Sequence, residues 1–143
     1  MSWQVLSWKV HLALLNAKLE PYLGSLHGIQ FSKPSSICDF LELYRSLMDD
    51  FVLGYARELS PSDFVLKDEG FSKTRKGKRQ YLNEELQREF FKNLNLYFQK
   101  EVKIPRIRVG QKQEIETLIN EEALLLAKFL RNESETWIPR INA

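Results

Sequence analysis

The chemistry that this sequence can offer centres on one histidine and two carboxylates, His27, Asp39 and Glu42. His27 closes the run Leu19-Glu20-Pro21-Tyr22-Leu23-Gly24-Ser25-Leu26-His27, and the acids sit in Ile37-Cys38-Asp39-Phe40-Leu41-Glu42-Leu43-Tyr44-Arg45. Asp39 and Glu42 are spaced i, i+3, so on a helix both carboxylates leave one face as neighbours. Two adjacent anions repel, and a hard divalent cation relieves the repulsion. Mg²⁺ prefers oxygen donors, and Mn²⁺ accepts a nitrogen more readily. Such an ion can stabilise the charge that develops when a phosphodiester reacts. The same residues also suit an inert role. The acids fall opposite an apolar face, where solvated charges belong, and the 15-residue separation of His27 and Glu42 specifies nothing by itself.

The elements that must position these groups read as helices. Val5, Leu6, Trp8, Leu12, Leu15 and Leu19 recur near helical spacing, which predicts a helix over about 3–19, stopped by Pro21. Ser35 or Ser36, after Pro34, suits the N-cap of a second helix running to about Leu59. Its apolar face is Ile37, Phe40, Leu41, Tyr44, Leu47, Met48, Phe51, Val52 and Tyr55. Asp39, Glu42, Ser46 and Asp50 share the opposite side.

Ser60-Pro61-Ser62-Asp63 reads as a capped helical turn. Phe64-Val65-Leu66 and Gln80-Tyr81-Leu82 can pair as a small β-hairpin around a basic loop. Asn83 followed by Glu84 and Glu85 starts another helix. The stretch from Val102 to Val109 reads as an extended connector, and a last helix covers about 112–132. The expected fold class is therefore mainly α, a multi-helix domain with one small β-hairpin, and residues 1–143 form one domain.

Composition narrows the function classes. Apolar residues make up 43% of the chain, enough to build a core. No run of about 18 apolar residues predicts a membrane span, and no small-residue cleavage site follows the partly apolar start. A lone cysteine, Cys38, excludes an internal disulfide and a cysteine-based zinc site. A cytoplasmic protein is the expectation, and the Asn132-Glu133-Ser134 sequon carries no weight there.

The net charge of +2 is too small to diagnose a nucleic-acid partner. Its distribution says more. Lys73, Arg75, Lys76, Lys78 and Arg79 crowd into seven residues with no acid among them. In the hairpin loop they suit a phosphate-contacting arm, although a solvated loop has the same composition. Tyr81 beside them suits base stacking or packing. Arg45 suits an ion pair with Glu42 or Asp49 ahead of a DNA phosphate. Trp3, Trp8 and Trp137 read as packing residues, and Cys38 as core.

Two blocks of this sequence resemble a known family. The run from Leu14-Leu15-Asn16-Ala17-Lys18 through His27 resembles the signature of the CRISPR adaptation integrases, the Cas-one family. The block from Lys33-Pro34-Ser35 through Asp39-Phe40-Leu41-Glu42-Leu43-Tyr44-Arg45 resembles that family's next motif at the expected distance. The resemblance runs from about Ser7 to Ile141. It implies a prokaryotic protein with a helical, metal-dependent catalytic domain. His27 and Glu42 match metal-ligand positions for Mg²⁺ or Mn²⁺, and Asp39 matches the neighbouring acid that supports the ion or the DNA end. All three match the catalytic set. The implied partners are DNA (spacer precursor and repeat), a small protein called Cas-two, and further copies of the integrase. The implied step is attack of a DNA 3′ hydroxyl on a repeat phosphodiester. Members are also similar to nucleases that cut branched DNA. On that resemblance Arg45, Lys73, Arg75, Lys76, Lys78 and Arg79 are expected to contact DNA, through the backbone rather than the bases.

One departure qualifies the implied activity. The family has a third ligand, a glutamate on a helix well upstream of the histidine, and an N-terminal β-rich domain. Only 26 residues precede His27, and the single acid among them, Glu20, belongs to the signature. The chain is thus expected to correspond to the C-terminal catalytic part of such an integrase, with an incomplete metal site. The alternative is a DNA-binding or scaffold module without chemistry.

Overall fold

The computed structural model describes residues 1–24, 34–70, 76–104 and 107–139. The chain is mainly helical. Five α-helices appear among the described residues: α1 (Ser2–Asn16), α2 (Ser35–Glu42), α3 (Arg45–Ala56), α4 (Glu84–Phe98) and α5 (Ile115–Leu130). Two small antiparallel ribbons join them, β1 (Phe64–Gly70) with β2 (Lys76–Leu82), and β3 (Glu101–Lys103) with β4 (Lys112–Glu114).

The core forms where apolar stripes meet. Leu6, Val10, Ala13 and Leu14 of α1 pack with Ile115, Leu118, Ile119, Ala123 and Ala127 of α5, the broadest helix–helix contact in the fold. Phe40, Tyr44 and Met48 close one side of this seam, and Phe90, Leu94 and Phe98 of α4 another. Each fully buried leucine contributes about 1.5–3 kcal/mol relative to exposure. Lys9 adds a polar tie. Its ammonium lies 2.7 Å from Glu116 and 4.9 Å from the centroid of the Phe98 ring, linking α1 to α5 and α4.

Helices α1 and α5 end in the same way. After α1, Leu19 N–H donates to Leu14 O at 2.9 Å and Lys18 N–H to Leu15 O at 2.9 Å, with Lys18 in the left-handed region at φ 59°. After α5, Glu133 N–H donates to Lys128 O and Asn132 N–H to Phe129 O, with Asn132 also at φ 59°. Both are Schellman ends, which satisfy carbonyls that the helix leaves unpaired. Arg131 Nη2 then donates to Ala17 O at 3.1 Å, so the two ends share one corner.

The hairpin forms in the register that its apolar residues dictate, Phe64 opposite Leu82, Val65 opposite Tyr81 and Leu66 opposite Gln80. Ser60 and Asp63 make a capping box at the turn before it. Asn83 caps α4, its Oδ1 accepting from Leu86 N–H at 2.9 Å.

Several expectations need correction, three of them here. The single helix expected to run to about Leu59 is broken at Leu43 and Tyr44, whose N–H groups turn back three residues, to Phe40 O and Leu41 O. Tyr44 is fully buried at the break. The stretch expected to be a plain connector contains β3, which pairs with the short β4 before α5. Trp8, read as packing, is 64% exposed.

Candidate metal and nucleic-acid site

The acid pair rides on α2, so the way α2 is seated decides where the carboxylates point. Pro34 occupies the N-cap, and no side chain caps the helix. Ser35, expected as a cap, is instead the first helical residue and is fully buried. The preceding chain supplies the missing acceptor: Ser36 N–H donates to Pro21 O at 3.1 Å. The start of α2 is therefore tied to the segment that leads toward His27. Ile37 and Phe40 turn into the core. Asp39 is half-buried and Glu42 exposed, one helical turn apart.

Arg45 opens α3 just beyond the break. Its Nη1 donates to both Glu42 oxygens, at 3.2 and 3.0 Å. The Glu42 carboxylate, by hydrogen bond first and charge second, raises the guanidinium further above its already high pKa. The ion pair expected for Arg45 thus forms, and it forms across a helix break. It supplies part of the cationic compensation that two neighbouring acids need. Its position at this edge also leaves Arg45 exposed.

His27 lies outside the described residues, as do Lys73 and Arg75. Among the described residues no three His, Cys, Asp or Glu side chains converge as a metal-ligand group. The fit of a divalent ion rests on the donor set at α2. Two carboxylates one turn apart on a helix supply oxygen donors of the kind Mg²⁺ or Mn²⁺ takes, and an imidazole nitrogen favours Mn²⁺.

The described residues of the basic cluster, Lys76, Lys78 and Arg79, lie on β2 rather than in the hairpin loop where they were expected. Lys76 opens β2 opposite Gly70, and Lys78 lies opposite Asp68 in the register. Arg79 reaches Glu69 at 3.4 Å, and Lys67 reaches Glu84 at 3.8 Å. These are surface pairs, which hold their partners weakly. The strands pair chiefly with each other rather than with the helices. At the base of the ribbon, Asn83 N–H donates to Asp63 O at 2.8 Å and Gln87 Nε2 to Leu82 O at 2.7 Å. Tyr81 is half-buried. Cys38 is half-buried too, rather than core.

Sequence reasoning missed Glu122. It reads as one more acid in a charged stretch, yet it is fully buried on α5 and accepts from Trp137 Nε1 at 2.7 Å. Its place four residues after Leu118 and three after Ile119, within the apolar stripe, was the available signal.

Comparison with known proteins follows the same residues. The family model for CRISPR associated protein Cas1 matches residues 2–105, a stretch that includes α1, α2, Asp39, Glu42 and the hairpin. A CRISPR-associated endonuclease Cas1 of Thermus thermophilus is 35% identical over 79 residues, which is 53% of this chain and 24% of that protein. A solved casposase bound to its integration product superposes with a TM-score of 0.77 at 19% identity, covering 99% of this chain and 40% of that one. A partial complex described as Cas6-RT-Cas1 with Cas2 gives a TM-score of 0.77 at 15% identity, covering 97% of this chain and 39% of that one. The structural likenesses establish a shared fold, and the chain spans well under half the length of these relatives. The chain belongs to the Cas1 family of CRISPR associated proteins.

Proposed function

We propose that residues 1–143 form a single helical domain, the C-terminal part of a metal-dependent DNA integrase or endonuclease that inserts spacer DNA into a CRISPR array. One observation carries the reading: Asp39 and Glu42 lie one turn apart on α2, within the stretch that the family model matches. In this reading His27 and Glu42 hold Mg²⁺ or Mn²⁺, and Asp39 supports the ion or the DNA end. A bound ion supplies charge neutralisation at the phosphate and eases deprotonation of the attacking hydroxyl. The chain's own residues seat the DNA. Lys73, Arg75, Lys76, Lys78 and Arg79 contact its backbone, and Arg45 moves between Glu42 and a phosphate. A relative solved with Cas2 and another solved on an integration product make Cas2 and DNA the proposed partners.

A titration of Mn²⁺ followed by electron paramagnetic resonance tests the metal site. The parent chain binds one ion, Glu42→Gln and His27→Ala each weaken binding at least about tenfold, and Asp39→Asn weakens it less. Equal binding by all four would overturn the assignment. A second reading has its own support, because Arg45 already sits on Glu42. In that reading the chain is a non-catalytic DNA-binding scaffold, which binds DNA in a salt-dependent way but shows no ordered Mn²⁺ signal.

A further inference from the structure

Beyond the Arg131 corner, the described residues 134–139 meet the core through the side chain of Trp137. Ser134, Glu135, Thr136 and Ile138 are exposed. Within the segment, Ser134 Oγ donates to Thr136 O at 3.0 Å. Trp137 is its anchor, in contact with the core. The indole N–H donates to the buried carboxylate of Glu122 on α5. The ring lies parallel to Phe40 on α2, at an interplanar angle of 8° with centroids 6.4 Å apart, within the range of offset aromatic stacking. Phe40 is 2% exposed and stands next to Asp39 in the helix. Helix α2 is short and leans chiefly on α1, so Trp137 gives it a second point of support, from α5.

We infer that Trp137 is a positioning residue. It straps α2 to α5 through Phe40 and Glu122, and so fixes the direction in which Asp39 and Glu42 present their carboxylates. The strap itself follows from the geometry, and its consequence for the acids rests on the metal-site reading above. The design separates two functions within one side chain. The ring steadies α2, and the N–H donates to the buried Glu122 carboxylate on α5.

Hydrogen exchange resolved by element tests this on the full chain. In Trp137→Ala, exchange in α2 (Ser35–Glu42) rises about tenfold while exchange in α4 stays at the parent rate. Trp137→Phe keeps a ring on Phe40 and restores most of the α2 protection. Unchanged α2 exchange, or an equal rise throughout the chain, overturns the strap. Should Trp137→Ala fail to fold, Trp137→Leu carries the same comparison, with apolar bulk kept and the flat ring removed. Titration with Mn²⁺ alone then reads the acids. Binding weakens severalfold in Trp137→Ala and recovers in Trp137→Phe, whereas a merely structural anchor leaves it unchanged. A parent chain that binds no Mn²⁺ overturns the metal reading alone, and the exchange comparison still decides the strap.

Discussion

Lys18 shows how much a single residue can carry against its own preference. It adopts φ 59° to close α1, a region that glycine enters freely and a lysine enters at a cost of roughly 1–2 kcal/mol. Lys18→Gly should therefore stabilise the fold, by about 0.5–1 kcal/mol after the greater freedom of glycine in the unfolded chain is subtracted. Denaturant unfolding measures this, and a loss of stability would show that the lysine side chain makes a contribution of its own. Arg45 belongs at the same scale. Its pair with Glu42 is solvent-exposed, so Arg45→Ala should leave the unfolding midpoint essentially unchanged. If Glu42 is a metal ligand, removing its competing cation should tighten Mn²⁺ binding in the same titration. Weaker binding in that variant would mean that Arg45 helps the ion rather than competes with it. The pair itself was legible in the sequence from spacing alone. The burial of Glu122 was not, because a carboxylate in an apolar stripe reads as an interruption until the indole that pairs with it is placed.

Between elements, two tyrosines hold α3 to α4 and its neighbours. Tyr97 Oη donates to Leu47 O at 3.1 Å, and Tyr55 Oη to Leu86 O at 3.0 Å. Both phenols are held above their ordinary pKa, first by burial and then by nearby carboxylates, Asp50 for Tyr97 and Glu89, Glu58 and Asp63 for Tyr55. A raised folded-state pKa means that the folded protein resists losing these protons. Their contribution is complete below about pH 10, the unfolded value, and declines as pH rises from there through the raised folded values. Tyr97→Phe should flatten that alkaline loss, read from unfolding midpoints from about pH 9 to about pH 12, which brackets the ordinary phenol value and the rise above it. An unaltered alkaline limb would assign the loss to other groups. The helices themselves were readable, since α1, α4 and α5 announce their periodicity and Asn83 its cap. The break at Leu43 and Tyr44 was hidden because the apolar spacing continues through it: Phe40, Tyr44 and Met48 all reach the same core. The β3–β4 ribbon was hidden for a different reason. Three-residue strands carry too few positions to show alternation.

Over the whole molecule, charge is divided unevenly. Between Phe64 and Leu82 lie six of the 21 basic residues and only two of the 19 acids, so the ribbon is strongly positive and the remainder slightly negative. If DNA is the partner, as proposed, the ribbon is the part of the chain whose charge favours it. Lys76→Glu with Lys78→Glu should weaken duplex binding and flatten its dependence on salt by about 2 in log–log slope, one unit per lost phosphate contact. Lys78→Glu also faces Asp68 across the strands, a like-charge pair costing up to about 1 kcal/mol, so Lys76→Gln with Lys78→Gln is the control for fold. An affinity and a slope both unchanged would move the DNA contact away from the arm. The basic cluster was visible in the sequence, but the acids that answer it were not, because Asp68 and Glu69 become its neighbours only when the strands pair.

The corner where Arg131 meets Ala17 has a consequence for how the protein is made. The bond spans 114 residues of sequence, and at about 5–20 residues per second the guanidinium leaves the ribosome about 6–23 s after the carbonyl it closes. Throughout that interval Leu6, Val10 and Leu14 await their main partner on a nascent chain. Chaperone dependence should therefore be set by translation speed beyond α4 more than by the strength of any one contact.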